Sequence, residues 1–238
     1  MLFYKKGVFM DKAFLNDCLS EIGVNLAPNA LDKLEGYFGM VVEQNKAFNL
    51  TAITEEKDFV VKHIEDSLAG ISLIPDNAKL LDIGAGAGFP SMPIAIARED
   101  VSVTALDSTA KKMTFLASCA KTLGVSNLST VSARAEDERD LFGKFDVVTA
   151  RAVSSLQILL ELAMPFLKVG GIFVAYKTDE GELALCKNAE KVLCAKHIKT
   201  KSLTLANGEK RALLVFEKTA PTPKQYPRQY GTIKKKPL

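Results

Sequence analysis

Apolar residues in the first third of the chain recur at helical spacing. Leu31, Leu34, Phe38, Val41 and Val42 follow Pro28, a residue suited to the first turn of a helix. A second run, Phe59, Val60, Ile64, Leu68 and Ile71, predicts a helix with Thr54 as N-cap and Glu55, Glu56 and Asp58 in its first turn, ending before Pro75. From Lys79 the pattern changes. Short apolar runs at 80–83, 101–106, 128–132, 145–149, 172–176, 192–202 and 212–216 predict strands. Between them lie helical stretches near 93–98, 110–123, 156–167 and 180–189, with Gly124 placed to end one of them. This alternation predicts a doubly wound, mostly parallel α/β sheet. The last two strands flank Asn207-Gly208, a hairpin signal, so the sheet is expected to end in an antiparallel pair. The expected organisation is a helical N-terminal cap (1–76), an α/β domain (77–218) and a C-terminal tail (219–238).

At 238 residues the chain can bury one α/β core with a small appendage. The net charge of +3 does not announce a nucleic-acid binder, but its distribution is uneven. From Pro221 onward the cations Lys224, Arg228, Lys234, Lys235 and Lys236 stand without an acid among them. Cys18, Cys119, Cys186 and Cys194 form no CxxC pair, and only His63 and His197 could join them, so no metal site is expected. Reduced thiols of this kind suit a cytoplasmic protein. No apolar run is long enough to span a bilayer, and the opening MLFYKKGVF is too short for a signal peptide. Met10 could equally start the folded part.

The informative segment runs from Leu80 to Pro90, where a buried strand enters Gly84-Ala85-Gly86-Ala87-Gly88-Phe89. Small residues let a ligand approach the main chain, and ligands of open α/β sheets lie beyond the carboxyl ends of the strands. The spacing is GxGxG, not the GxGxxG of dinucleotide binders, and Asp82 precedes it. Asp107, at the end of the second strand, can accept both hydroxyls of a ribose, or can cap the next helix. Ala135-Glu136 follows the third strand and can offer an acceptor to an adenine amino group, with helix capping again the alternative. Together these positions fit adenosine with a short cationic tail and need no pyrophosphate.

At this point a resemblance becomes specific. The runs NLTAITEEKDFVVKHIEDSL, LLDIGAGAGFPSMPIAIA, VTALDSTAKKMTFL, ARAED and FDVVTARAVSSL, followed by LKVGG, resemble the RsmG (GidB) family of 16S ribosomal RNA guanine-N7 methyltransferases. The likeness covers roughly residues 46–177, and the ending YPRQYGTIKKKPL resembles the family's basic tail. It implies the class I S-adenosylmethionine-dependent methyltransferase fold, a Rossmann-like seven-stranded sheet closed by an antiparallel hairpin. It also implies S-adenosyl-L-methionine as donor and 16S rRNA of the small ribosomal subunit as partner. Gly84, Phe89, Ala135, Glu136 and Arg151 carry over as cofactor-binding positions. Asn49, Thr51, His63, Asp66 and Ser67 would border the acceptor pocket, although local helix packing explains them equally. Ser91 departs from the family's usual glycine and is expected to be tolerated.

The chemistry narrows the acceptor. Methyl transfer needs a nucleophile aligned behind the methyl group, so orientation can supply most of the acceleration. An exocyclic amine calls for an Asp/Asn-Pro-Pro-Tyr clamp after the fourth strand, where this chain has Thr149-Ala150-Arg151-Ala152. Carbon-5 of a pyrimidine calls for a cysteine nucleophile, and none stands at a strand end. Guanine N7 carries a free lone pair and no proton, so no catalytic base is expected. Arg151 has three candidate roles, at the cofactor carboxylate, an RNA phosphate or guanine O6, with a surface ion pair as the plain alternative. Arg228, Lys234, Lys235 and Lys236, with Tyr226 and Tyr230 nearby, suit contacts to RNA, unless the tail is merely a solvated, unstructured end. A small-molecule or protein methyltransferase of the same fold and a non-catalytic RNA-binding relative are the rival functions.

Overall fold

The central strands are apolar at consecutive positions because both faces of the sheet are covered. Leu80 and Leu81, Val147 and Val148, and Leu213 and Leu214 each send neighbouring side chains into two different cores. The computed structural model describes residues 9–238, so nearly all of the MLFYKKGVF segment lies outside the described residues. Its seven strands are ordered β3-β2-β1-β4-β5-β7-β6. Of these, β1 (Lys79–Ile83), β2 (Ser102–Asp107), β3 (Leu128–Ser132), β4 (Phe145–Arg151) and β5 (Leu167–Lys177) run parallel. The strands β6 (Ala195–Thr204) and β7 (Lys210–Lys218) form the closing antiparallel hairpin, with β7 also antiparallel to β5. Asn207-Gly208 makes its turn, Gly208 adopting φ +84°.

One face is covered by α1 (Lys12–Glu21), α2 (Pro28–Asn45), α3 (Glu56–Phe59), a π-helical stretch Val60–Glu65, α4 (Asp66–Leu68), α5 (Ser91–Ala97) and α6 (Ala110–Leu123). The N-terminal helices therefore share one hydrophobic core with this face of the sheet. The other face is covered by α7 (Leu156–Ala163), α8 (Lys187–Leu193) and α9 (Tyr230–Lys235). No helix among the described residues is long and apolar enough to cross a membrane.

Several boundaries differ from those predicted, each for a local reason. The strand expected at 172–176 begins at Leu167, because Gly170-Gly171 carry the chain through a register shift against β4 instead of turning it away. The helix expected over 156–167 stops at Ala163 and tightens into a 3-10 turn, Met164–Phe166, around Pro165, which has no N–H to donate. The helix expected at 180–189 is a 3-10 turn followed by α8, and Cys194 ends it in a left-handed conformation, so β6 starts at Ala195. Thr54 is not the N-cap; the carboxylate of Glu55 accepts the Asp58 N–H at 3.0 Å. Beyond α4, Ile71 belongs to a separate 3-10 turn.

The tail is not an unstructured end. Ile233 of α9 is fully buried in the second core. Arg228, expected among the RNA-facing cations, is committed internally: its backbone N, Nε and Nη2 donate to the Glu161 carboxylate at 2.9, 2.8 and 2.6 Å. Glu161 has no exposed surface, so the pair holds the tail against α7. Removing one partner of a buried pair leaves a stranded charge, and Arg228→Ala is expected to cost about 3–5 kcal/mol in denaturant unfolding. A loss below about 1 kcal/mol would show that solvent replaces the guanidinium without penalty.

Candidate functional site

The glycine loop leaves β1 at the carboxyl end of the parallel strands, and its glycines serve different ends. At Gly88 (φ +83°) a Cβ would meet Leu116 Cδ1 at 2.5 Å and the Tyr37 hydroxyl at 2.6 Å, so this position is glycine for packing. Tyr37, wholly buried in α2, donates its hydroxyl to the Ala87 carbonyl and so fastens the loop to the helical layer. At Gly86 (φ +57°) a Cβ would meet only the Gly84 carbonyl, at 3.8 Å, and otherwise enters open space. Beneath the loop Asp82 has no exposed surface and accepts from Ser91 N at 3.2 Å and Thr149 Oγ1 at 3.1 Å. Burial pushes its carboxyl up to about 7. Ser91, where the family usually has glycine, has its side chain wholly buried in the first turn of α5.

A cleft of about 530 Å³ opens on this loop, a size typical of small-molecule sites. Gly84, Gly86, Phe89, Asp107, Ala135, Glu136 and Arg151 all line it; Gly88 does not. Asp107 Oδ2 accepts from Gly86 N at 3.0 Å and Oδ1 from Thr109 N at 2.8 Å. The N-cap of α6 is Thr109, so Asp107 is not the helix cap; it joins two loops and keeps lone pairs on both oxygens. Glu136, in the 3-10 turn Ala135–Asp137, is 5% exposed, and Arg134 Nη1 stands 4.0 Å from its Oε1. Its carboxylate has no hydrogen-bond donor among the described residues and lines the cleft. A ligand amino group at this end of the cleft would supply one, and the open side of Gly86 leaves room for a ligand against the main chain. The residues present therefore fit an adenosine-type group. Replacing Asp107 by Ala should weaken such binding by about 1.5–3 kcal/mol, the range for hydrogen bonds to a charged group. Calorimetry checks it, and unchanged affinity with lowered thermal stability would leave Asp107 a loop tie alone.

At the other end of the cleft, Arg151 leaves β4 and meets the π-helical stretch. Its Nη1 donates to the Lys62 carbonyl at 2.7 Å and to Asp66 Oδ2 at 2.8 Å, and its Nη2 donates to His63 Nδ1 at 3.0 Å. Arg151 and Asp66 side chains are 13% and 5% exposed, so the pair is buried, not a surface bridge. Arg211 Nε also donates to Asp66 Oδ1, at 3.1 Å. The His63 ring stacks on Phe89 with centroids 4.2 Å apart. A guanidinium has only donors, so Nδ1 is the accepting nitrogen and the ring proton sits on Nε2. Nε2 in turn donates to Thr51 Oγ1 at 2.8 Å. Burial, and then the Arg151 charge, push the His63 pKa down to about 3. His63 is thus neutral, with both ring nitrogens engaged.

The five positions expected around an acceptor pocket separate. Thr51 and His63 line the main cleft. Asp66 instead lines an adjoining cleft of about 540 Å³, together with Lys62, Lys177 and Arg211, and His63 and Arg151 border both. Ser67 has no exposed surface, lines neither cleft and donates its hydroxyl to the His63 carbonyl, a consequence of where the π-helical stretch turns its side chain. Asn49 is exposed and lines neither cleft. The loop before Thr51 is held by Asn45 instead, whose Oδ1 accepts from Leu50 N at 2.7 Å and Thr51 N at 3.1 Å. Sequence reasoning missed Tyr37, Asn45 and Arg211 altogether. Tyr230, which the sequence pattern groups with the RNA-facing tail, lines the main cleft. Lys234, Lys235 and Lys236 are exposed and outside it.

The GidB family, described as rRNA small subunit methyltransferase G, matches residues 30–214. Ribosomal RNA small subunit methyltransferase G of Streptococcus pyogenes serotype M3 is 45% identical over 228 residues, covering 92% of this chain and 96% of that protein. The protein of that name from serotype M1 is likewise 45% identical over the same shares of each chain. Among solved structures, M. jannaschii TYW2 in complex with AdoMet superposes with a TM-score of 0.55 at 19% identity, covering 66% of this chain and 76% of that one. The [4+2]-cyclase SpnF superposes with a TM-score of 0.57 at 13% identity, covering 84% and 99%, so these likenesses speak for the fold alone. That fold is the class I methyltransferase sheet with its final antiparallel hairpin. By the extent of the family match and the identity to its curated members, the chain belongs to the GidB family of small-subunit ribosomal RNA methyltransferases G.

Proposed function

We propose that the protein transfers the methyl group of S-adenosyl-L-methionine to N7 of a guanine in 16S rRNA. The observation that carries this reading is the state of His63: neutral, with Nδ1 accepting from Arg151 and Nε2 donating to Thr51, at the end of the cleft away from Glu136. An acceptor that must lose a proton would need a free base there. Asp66 is held by two arginines, and Cys18, Cys119, Cys186 and Cys194 line neither cleft. N7 needs neither a base nor a nucleophilic thiol.

S-adenosylmethionine supplies an electrophilic sulfonium methyl group, and the protein's part is to hold and orient. Gly84 and Gly86 offer main chain to the ligand, Asp107 accepts from the ribose hydroxyls, and Glu136 accepts from the adenine amino group. The guanine approaches through the adjoining cleft, past His63 and Arg151, between walls where Lys62, Lys177 and Arg211 are each paired with a carboxylate. The exposed Lys234, Lys235 and Lys236 offer cations to the RNA backbone. Incubation with methyl-labelled cofactor and either naked 16S rRNA or small subunits tests the reading. Label recovered as N7-methylguanine at one nucleotide supports it; label confined to proteins or small molecules overturns it.

A further inference from the structure

The C-terminal helix brings a side chain into the cofactor cleft from outside the α/β sheet. Tyr230, the first residue of α9, lines the same cleft as the glycine loop and Asp107. Its place along the cleft follows from the ties around it. Gln229 Nε2 donates to Asp137 Oδ1 at 3.5 Å, in the turn that carries Glu136. Arg228 is locked to Glu161 of α7, and the next residue, Leu162, lines the cleft too. Ile233 anchors the helix in the core, and Gln157 donates to the terminal Leu238 carbonyl. Tyr230 is thus held by a fixed element at the end of the cleft where Ala135 and Glu136 stand.

We infer that Tyr230 is a cofactor-binding residue, its ring covering the adenine face while Glu136 accepts the amino group at the edge. Two features of that end favour a flat, amino-bearing heterocycle. The walls Leu106, Ala135 and Leu162 are apolar, and the Glu136 carboxylate lines the cleft with no hydrogen-bond donor among the described residues. An aromatic ring half-buried at such a mouth adds a stacking surface that every purine can use. The tail then serves the cofactor with Tyr230 and presents Lys234, Lys235 and Lys236 to solvent from the same element. This inference rests on the assignment of the cleft to S-adenosylmethionine and is independent of which guanine atom is methylated.

The test is calorimetric binding of S-adenosylmethionine to the full chain, with no RNA present. Tyr230→Ala should weaken binding roughly tenfold, within the range for removing an aromatic ring stacked on a base. Tyr230→Phe should bind as the parent does, and so should the variant with Lys234, Lys235 and Lys236 all replaced by Ala. The chain has five tyrosines and no tryptophan, so tyrosine emission provides a second readout that does not depend on the Ala variant folding. Part of the emission change on cofactor binding should be missing in Tyr230→Phe. Binding within twofold of the parent in folded Tyr230→Ala, or an emission change undiminished in Tyr230→Phe, overturns the inference. If a folded Gly86→Asn protein also binds normally, the cleft assignment itself has failed, a different result from failure of Tyr230 alone.

Discussion

The Gly86→Asn protein is expected to fold like the parent and to bind S-adenosylmethionine at least 100-fold more weakly, about 2.7 kcal/mol. Asparagine is chosen because it tolerates the left-handed conformation that Gly86 adopts at φ +57°, so the loop can keep its path. The added side chain enters the open space beside the main chain, where the structure puts nothing nearer than the Gly84 carbonyl at 3.8 Å. The contrast with Gly88 is instructive. There a side chain would strike Leu116 and Tyr37, so the same substitution should unfold the loop and report on packing, not on the ligand. Calorimetry with matched denaturation curves separates the two effects. Normal affinity in a folded Gly86→Asn protein would contradict the role given to the loop.

Replacement of Arg151 by Met should act on stability and rate together. It removes one partner of a buried pair and strands the Lys62 carbonyl and His63 Nδ1, while Arg211 still faces Asp66. A loss of about 3 kcal/mol is expected, the low end of the range for such deletions. The rate of methyl transfer should fall by roughly 100-fold, since displacement of His63 and the π-helical stretch by about an ångström misaligns the acceptor. Histidine NMR gives the local readout. In the parent, His63 carries its proton on Nε2 and stays neutral down to a pKa of about 3. Because the folded pKa lies below the unfolded one, its contribution to stability is present above about pH 6.5 and is lost as pH falls towards 3. In Arg151→Met the pKa should rise part of the way back, as burial, the larger cause, remains. An unaltered titration and stability would show that Arg151 does not organise this end of the cleft.

Much of the fold is written in local pattern. Strand–helix alternation after Lys79, the Asn207-Gly208 turn and the glycine loop place the sheet, its closing hairpin and one wall of the cleft. What was not legible depends on contacts between distant parts of the chain. Arg211 reaches Asp66 across 145 positions, and Arg228 reaches Glu161 across 67, so no periodicity announces either pair. The π-helical stretch keeps the apolar spacing of an ordinary helix yet turns Ser67 inward and Asp66 towards the adjoining cleft. Asn45 and Asn49 are alike as residues, and only the path of the loop makes Asn45 its anchor. For Tyr230 a signal does exist, an aromatic in a basic tail, but it points to RNA because the docking of α9 on α7 is invisible in one dimension.

Methylation at guanine N7 without a base sets a specific expectation for an RNA carrying 7-deazaguanine at the target nucleotide. That substitution keeps the pairing edge and replaces the reacting lone pair with a C–H. With His63 neutral and engaged at both nitrogens, the chemical step on unmodified RNA should show no ionisation of His63 acting as a base between about pH 6 and 8. The substituted RNA should bind and accept no methyl group. Methylation of that RNA at the same nucleotide would contradict the account and move the acceptor to another atom of the base or its ribose.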